Sequence, residues 1–142
     1  MMGKLKLNKE QWKYYFDMDR ILHDAEESLH TPMIHITDHI AHGSPGGLHD
    51  YYSNGDYWWP NPDTKDGLPY IRRDGESNPG NFDHHRNTLR LMRSHVVRLA
   101  SAYRITEDER YAAKALQLLK GFFLDEQTRM NPHLLYAQAI PG

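Results

Sequence analysis

Residues Gly55–Pro79 read GDYWWPNPDTKDGLPYIRRDGESNP, and the fold turns on how this stretch is read. Prolines at 60, 62, 69 and 79 each remove a backbone donor and fix φ, so no continuous helix runs through it. Yet it carries Tyr57, Trp58, Trp59 and Tyr70, and the paired cations Arg72 and Arg73. Disordered segments are poor in aromatic residues. The stretch therefore reads as an ordered loop packed over something, within a longer non-helical segment spanning about residues 31–81. Structureless loops beyond about 15 residues are uncommon in compact domains unless they are functional or disordered.

Three helices flank this segment. The first is expected over residues 9–29, with Asn8 and Gln11 as a reciprocal cap and an apolar face of Trp12, Tyr15, Phe16, Ile21, Leu22, Ala25 and Leu29. The second starts near Asp83, with Leu89, Met92, Val96, Leu99 and Tyr103 along one stripe. Thr106 followed by Glu109 reads as the capping box of the third, whose stripe is Tyr111, Ala115, Leu118, Leu119 and Phe122. The short connection makes residues 83–123 an antiparallel helical hairpin. A mostly apolar or small tail, residues 129–142, follows.

Bulk composition limits the function. The chain has 142 residues, is 39% hydrophobic and 25% charged, and carries a net charge of −2. These values fit one globular domain and give no general attraction to nucleic acid or anionic membrane. The absence of cysteine excludes disulfides and thiolate metal sites. No window approaches the roughly 18 apolar residues of a membrane span. The start, MMGKLKLNKEQWKYYF, has no apolar core of a signal peptide, so on its face the chain is cytoplasmic.

Chemistry is suggested by residue types. Aromatic faces suit the C–H faces of sugar rings, and arginine forks suit carboxylates. Tyr57, Trp58, Trp59, Tyr70, Arg72 and Arg73 together point to a ligand that is both sugar and acid. Each also has a plain structural reading: the aromatics as a small core of the loop itself, the arginines as partners of Asp74 or Glu76. Upstream, Ser44-Pro45-Gly46-Gly47 is permissive backbone. Tyr51 and Tyr52 ride beside it, as solvated loop residues or as candidate proton-transfer groups. Asn131, His133, Tyr136 and Gln138 of the tail either line a polar pocket or form a satisfied buried cluster. Ten histidines, among them His39, His42, His49, His84 and His85, show no metal-ligand spacing, and no metal or cofactor is expected.

The runs HDYYSNGDYWWPNPDTKDGLPYIRRDGESNP, HHR and RMNPHLLYAQAIPG resemble the alginate lyase domain family over nearly the whole chain. The resemblance implies an all-α fold, an incomplete α/α toroid of helical hairpins. Its long ordered cleft loop lies between helices 1 and 2, and its tail lines the cleft. It implies β-elimination on an acidic, uronate-containing polysaccharide or oligosaccharide. Substrate-binding candidates are then Tyr57, Trp58, Trp59, Tyr70, Arg72, Arg73, Arg86, Asn131, His133, Tyr136 and Gln138. Candidates for proton transfer are Tyr51, Tyr52, His133 and Tyr136. The family's Asn-Asn-His signature does not occur here, and Asn131-Pro132-His133 matches an earlier, cleft-lining motif, so the catalytic role is not carried over to His133. The family's downstream catalytic tyrosine is missing too. The chain thus reads as the N-terminal portion of a longer enzyme, with little activity alone and with open apolar helix faces that invite self-association. Related lyases are often periplasmic or secreted. Two other readings stand beside this one. One is a carbohydrate-binding module without catalysis. The other is a glycoside hydrolase on a similar toroid, drawing two carboxylates from Asp50, Asp56, Asp63, Asp66 and Asp74.

Overall fold

The computed structural model describes residues 8, 10, 11, 13 and 16–142. The expectations placed on Lys9, Trp12 and Tyr15 lie outside these. In chain order the elements are α1 (Met18–Leu29), a 3-10 turn (Ile36–Asp38), β1 (Tyr52–Asn54), β2 (Trp58–Trp59), β3 (Ile71–Arg72), α2 (His84–Thr106), α3 (Glu109–Phe123) and β4 (Tyr136–Ala139). Two compact units share them: Met1–Met33 with Arg93–Leu119, and Ile34–Met92 with Lys120–Gly142. The protein is mostly helical, but an all-α description omits two small sheets. No helix among the described residues is long and apolar enough to cross a membrane.

In the first unit, Asn8 and Gln11 exchange backbone-to-side-chain hydrogen bonds of 2.9 Å, the reciprocal cap expected from their spacing. The helix that follows is not continuous to Leu29. Asp17 is extended and its carboxylate accepts from the Arg20 amide at 3.0 Å, so α1 starts afresh at Met18. Ala25 of α1, Leu99 and Ala102 of α2, and Tyr111, Ala115 and Leu118 of α3 are buried. Polar contacts fix α1 to the other two helices. The His95 ring meets the Ser28 hydroxyl at 2.9 Å and the Thr31 hydroxyl at 3.3 Å, and Lys114 Nζ donates to the Thr31 carbonyl at 2.6 Å. Burial, then the nearby Arg98 and Lys114, lower the His95 pKa, which favours the neutral ring.

Thr106 does not cap α3. It is the last residue of α2, where its hydroxyl donates to the Ala102 carbonyl at 2.8 Å. The cap falls two residues later: the Asp108 carboxylate accepts from the Arg110 amide at 3.0 Å. Between them Glu107 takes a left-handed φ of 59°, which ends α2 abruptly. Val97 and Leu116 stay exposed on α2 and α3.

The second unit holds the non-helical segment and the tail. β1 pairs in parallel with β4, with Tyr52 opposite Tyr136 and Asn54 opposite Ala139 across a register shift. β2 and β3 pair antiparallel, with Trp58 opposite Arg72 and Trp59 opposite Ile71. Proline still shapes the result: the strands are two to four residues long and contain none. Side chains complete the backbone hydrogen bonding that longer strands would supply. Asn78 Nδ2 donates to the Trp58 carbonyl at 2.9 Å, Asn81 Nδ2 to the Gly55 carbonyl at 3.0 Å, and Asn54 Oδ1 accepts from the Phe82 amide at 2.9 Å. That accounting is why a loop of this length is ordered.

Candidate functional site

The site is built where the tail lies along the loop. After α3 the chain is pinned at His49, whose Nδ1 donates to the Arg129 carbonyl at 2.7 Å while its own carbonyl accepts from the Asn131 amide at 2.9 Å. Beyond that, β4 runs beside β1, the Gly55 amide donates to the Ala139 carbonyl at 3.0 Å, and the Tyr70 amide to the Pro141 carbonyl at 3.0 Å. Tail and loop, far apart in sequence, thus form one surface.

Asp50 is the polar centre of that junction. It is 8% exposed. Its Oδ1 accepts from Asn131 Nδ2 at 2.7 Å and lies 3.2 Å from His133 Nε2, and its Oδ2 accepts from the Gly47 amide at 2.7 Å. The Asn131 hydrogen bond is the main cause holding its carboxyl below the usual range. Burial opposes this, and the Gly47 amide and the His133 and His49 rings add to it. Gly46 lies beneath the same cluster: a Cβ there would sit 2.5 Å from Asp50 Oδ2 and closer still to the Tyr136 ring. Gly46→Ala should therefore lower stability by about 1–3 kcal/mol, the usual range for overpacking, read as a reduced midpoint in chemical denaturation.

His85 holds the other side of β1. Its Nδ1 accepts from the Tyr52 amide at 3.0 Å, so Nε2 carries the hydrogen and donates to the His39 carbonyl at 2.8 Å. The ring is 1% exposed, and burial lowers its pKa. His85 is thus a neutral strut that fixes the strand bearing Tyr52.

Four of the sequence-picked binding residues converge. Tyr57, Trp58, Arg72 and Gln138 line a groove of about 270 Å³ together with Gly55 and Asp56. Arg86 reaches the groove through Asp56, donating from Nη1 to Oδ1 at 2.7 Å, and this bond is the first cause of its raised pKa. Asn131, His133 and Tyr136 belong to the Asp50 cluster, with the His133 and Tyr136 rings 6.1 Å apart. Trp59 and Arg73 form a third group. The Arg73 guanidinium lies 4.8 Å from the Trp59 ring centre and 4.0 Å from Glu76, and the Trp59 indole donates to the Glu76 carbonyl at 2.9 Å. Tyr70 is half-buried and is not among the groove's lining residues.

The candidate proton-transfer groups separate by environment. Tyr52 is 3% exposed, and its hydroxyl accepts from Asn54 Nδ2 at 3.0 Å, so it is core rather than loop surface. His133 spends Nε2 on Asp50, and its Nδ1 is buried without a partner. Tyr51, half-buried, has its ring 6.2 Å from that of His85. Tyr136 is half-buried in β4, two residues before Gln138 of the groove. The tail is a strand where a helix would have put His133 and Tyr136 on one face, yet the two rings still meet. Asp50 and Asp56 are the organising acids that sequence reasoning did not place in the site, counting them only among five possible hydrolase carboxylates. His85 was weighed only as part of a metal cluster. Among the described residues, His23, Asp24 and Glu27 of α1 bring one potential metal-ligand atom each within 4.8 Å of one another, and none of them lines the groove.

This arrangement of a proline-rich aromatic loop closed by a returning tail agrees with comparison to known proteins. A family model described as alginate lyase matches residues 36–142, and the chain belongs to that family. Among solved structures, it is similar to the crystal structure of an alginate lyase from Bacteroides ovatus. The two share 42% sequence identity at a TM-score of 0.80, over 94% of this chain and 36% of that one. The chain thus spans about a third of that structure's length. No curated protein matches it.

Proposed function

We propose that this chain is a polysaccharide lyase module that binds a uronate-containing polysaccharide and serves its β-elimination. The observation that carries the reading is the groove itself, where Tyr57, Trp58, Arg72 and Gln138 meet. Two rings offer faces to the sugar, a guanidinium offers its fork to the carboxylate, and an amide offers a donor beside it. Elimination needs the carboxylate neutralised so that the C5 proton becomes acidic. A base removes that proton, the C4–O4 bond breaks as the C4=C5 bond forms, and an acid protonates the departing oxygen. Arg72 and Gln138 supply the electrostatic part, as donors that meet the charge that develops. Of the four candidates for proton transfer, Tyr136 is the one we assign. Tyr52 and His133 have their polar atoms occupied or buried, and Tyr51 sits against His85 rather than on the strand that bears Gln138.

The hairpin of α2 and α3 is, in this reading, one repeat of an α/α toroid. The exposed apolar positions Val97 and Leu116 are then surfaces on which further helices, or a second copy of the chain, pack. Incubation with alginate and other uronate polymers, followed by ultraviolet absorbance of the unsaturated product, tests the reaction. Little activity is expected of the 142-residue chain alone, so a slow rise in absorbance that is lost in Tyr136→Phe supports the assignment. Saturated products would favour a hydrolase, and binding without any product would reduce the role to carbohydrate capture.

A further inference from the structure

Resting on that reading, we propose that Asp74 is a displaceable internal stand-in for the substrate carboxylate, and that it sets how strongly the groove prefers acidic over neutral sugars. Among the described residues that line the groove Arg72 is the one cation, and it is not free: its Nε lies 2.6 Å from Asp74 Oδ1. The second acid, Asp56, is part of the groove wall and is held by Arg86 at 2.7 Å. Around the groove the charges of Arg72, Arg86, Asp56 and Asp74 cancel. An incoming uronate therefore meets a wall that is neutral overall, and gains a cation only if one of these pairs opens.

The two pairs differ in how readily they open. Arg72 and Asp74 are 61% and 77% exposed, whereas Arg86 is only 30% exposed and its partner 48%. Ion pairs as exposed as the first contribute little, so exchange of one carboxylate for another is easy there. Asp74 faces Arg72 for a local reason. The residues after β3 form a turn in which the Glu76 amide donates to the Arg73 carbonyl at 3.2 Å and Gly75 takes a φ of +79°. That turn folds Asp74 back over Arg72, where its carboxylate covers one end of the guanidinium fork that a ligand would use. A sugar acid entering the groove replaces Asp74 on Arg72, and Asp74 turns to solvent. A neutral sugar leaves the pair intact, and Asp56 continues to repel any anion not seated on Arg72. Selectivity is then the difference between two exchange reactions rather than the strength of one contact.

The test is calorimetric titration of the 142-residue chain and its Asp74→Asn variant with a uronate oligosaccharide and with the same oligosaccharide after reduction of its carboxyl groups. Asp74→Asn should bind the acidic ligand about three- to fivefold more tightly, the scale set by one exposed ion pair, and the reduced ligand unchanged. In an Arg72→Ala background the gain should vanish, since the two residues act as one unit. Unchanged or weaker acidic binding in Asp74→Asn, an equal gain for both ligands, or a gain that survives Arg72→Ala would overturn the exchange while leaving the lyase reading in place. Failure of both wild type and variant to bind the acidic ligand would overturn both. Asp74 is exposed, and matching thermal melts of wild type and variant establish that the comparison is between equally folded proteins.

Discussion

Asp50→Ala is expected to lower folding stability by about 3 kcal/mol or more. That is the scale for removing one partner from a buried, charged hydrogen-bond cluster. The substitution strands Asn131 Nδ2, the Gly47 amide and His133 Nε2 in a site where Asp50 itself is only 8% exposed. It also removes one of the attachments that hold the tail to the loop, so sugar binding should fall with stability. Asp50→Asn keeps the shape but replaces one acceptor oxygen with a donor, and should recover only part of the loss. The pH dependence has a definite sign. The folded-state pKa of Asp50 is lowered, chiefly by the Asn131 hydrogen bond, so its contribution is present above the unfolded carboxyl value near 3.8 and is lost as pH falls through the folded value. Denaturant midpoints measured across the acid range should show that loss in wild type and not in Asp50→Ala.

His85→Ala should be nearly as damaging, at about 3 kcal/mol or more, because it opens a cavity and leaves the Tyr52 amide and His39 carbonyl without their partner. Here too the pKa is lowered, with burial as the first cause, but the group is a base. Above the unfolded value near 6.5 the ring is neutral in both states and the stabilisation is complete. As pH falls below that value the unfolded chain takes up a proton that the buried ring resists, and stability declines until the folded value is passed. Wild type should therefore begin to lose stability below about pH 6.5, two to three units above the onset due to Asp50. His85→Ala should shrink that earlier phase to the part due to His95, whose pKa burial lowers as well.

The helices and the ordered character of the loop were legible because their signals are local. Periodic apolar positions mark α2 and α3, and prolines among aromatics mark a segment that packs without being helical. What escaped depends on chain segments that meet only in three dimensions. β1 and β4 are three and four residues long and pair in parallel across some eighty residues, so no window of sequence contains the partnership. The Thr106–Glu109 spacing matched a capping box, but Asp108 offered a competing cap one residue before the helix, and the αL turn at Glu107 left Thr106 inside α2. Tyr57, Trp58, Arg72 and Gln138 were singled out in sequence as binding candidates, and the four line one groove. Asp50, Asp56 and His85 were not singled out in this way, since an acid or imidazole used as an internal acceptor looks in sequence like any other. The resemblance carried by the long loop motif supplied the family, and the geometry supplied which of its residues touch.

In the proposed function the groove beside β2 receives an acidic sugar. Side-chain magnetic resonance of nitrogen-labelled protein during titration with a uronate oligosaccharide tests it most directly. The Trp58 indole and Arg72 guanidinium signals should shift together and saturate at one ligand concentration, while the Trp59 indole, tied to the Glu76 carbonyl, moves little. Trp58 and Arg72 signals that stay fixed while others move, or that respond equally to a neutral oligosaccharide, would contradict the account.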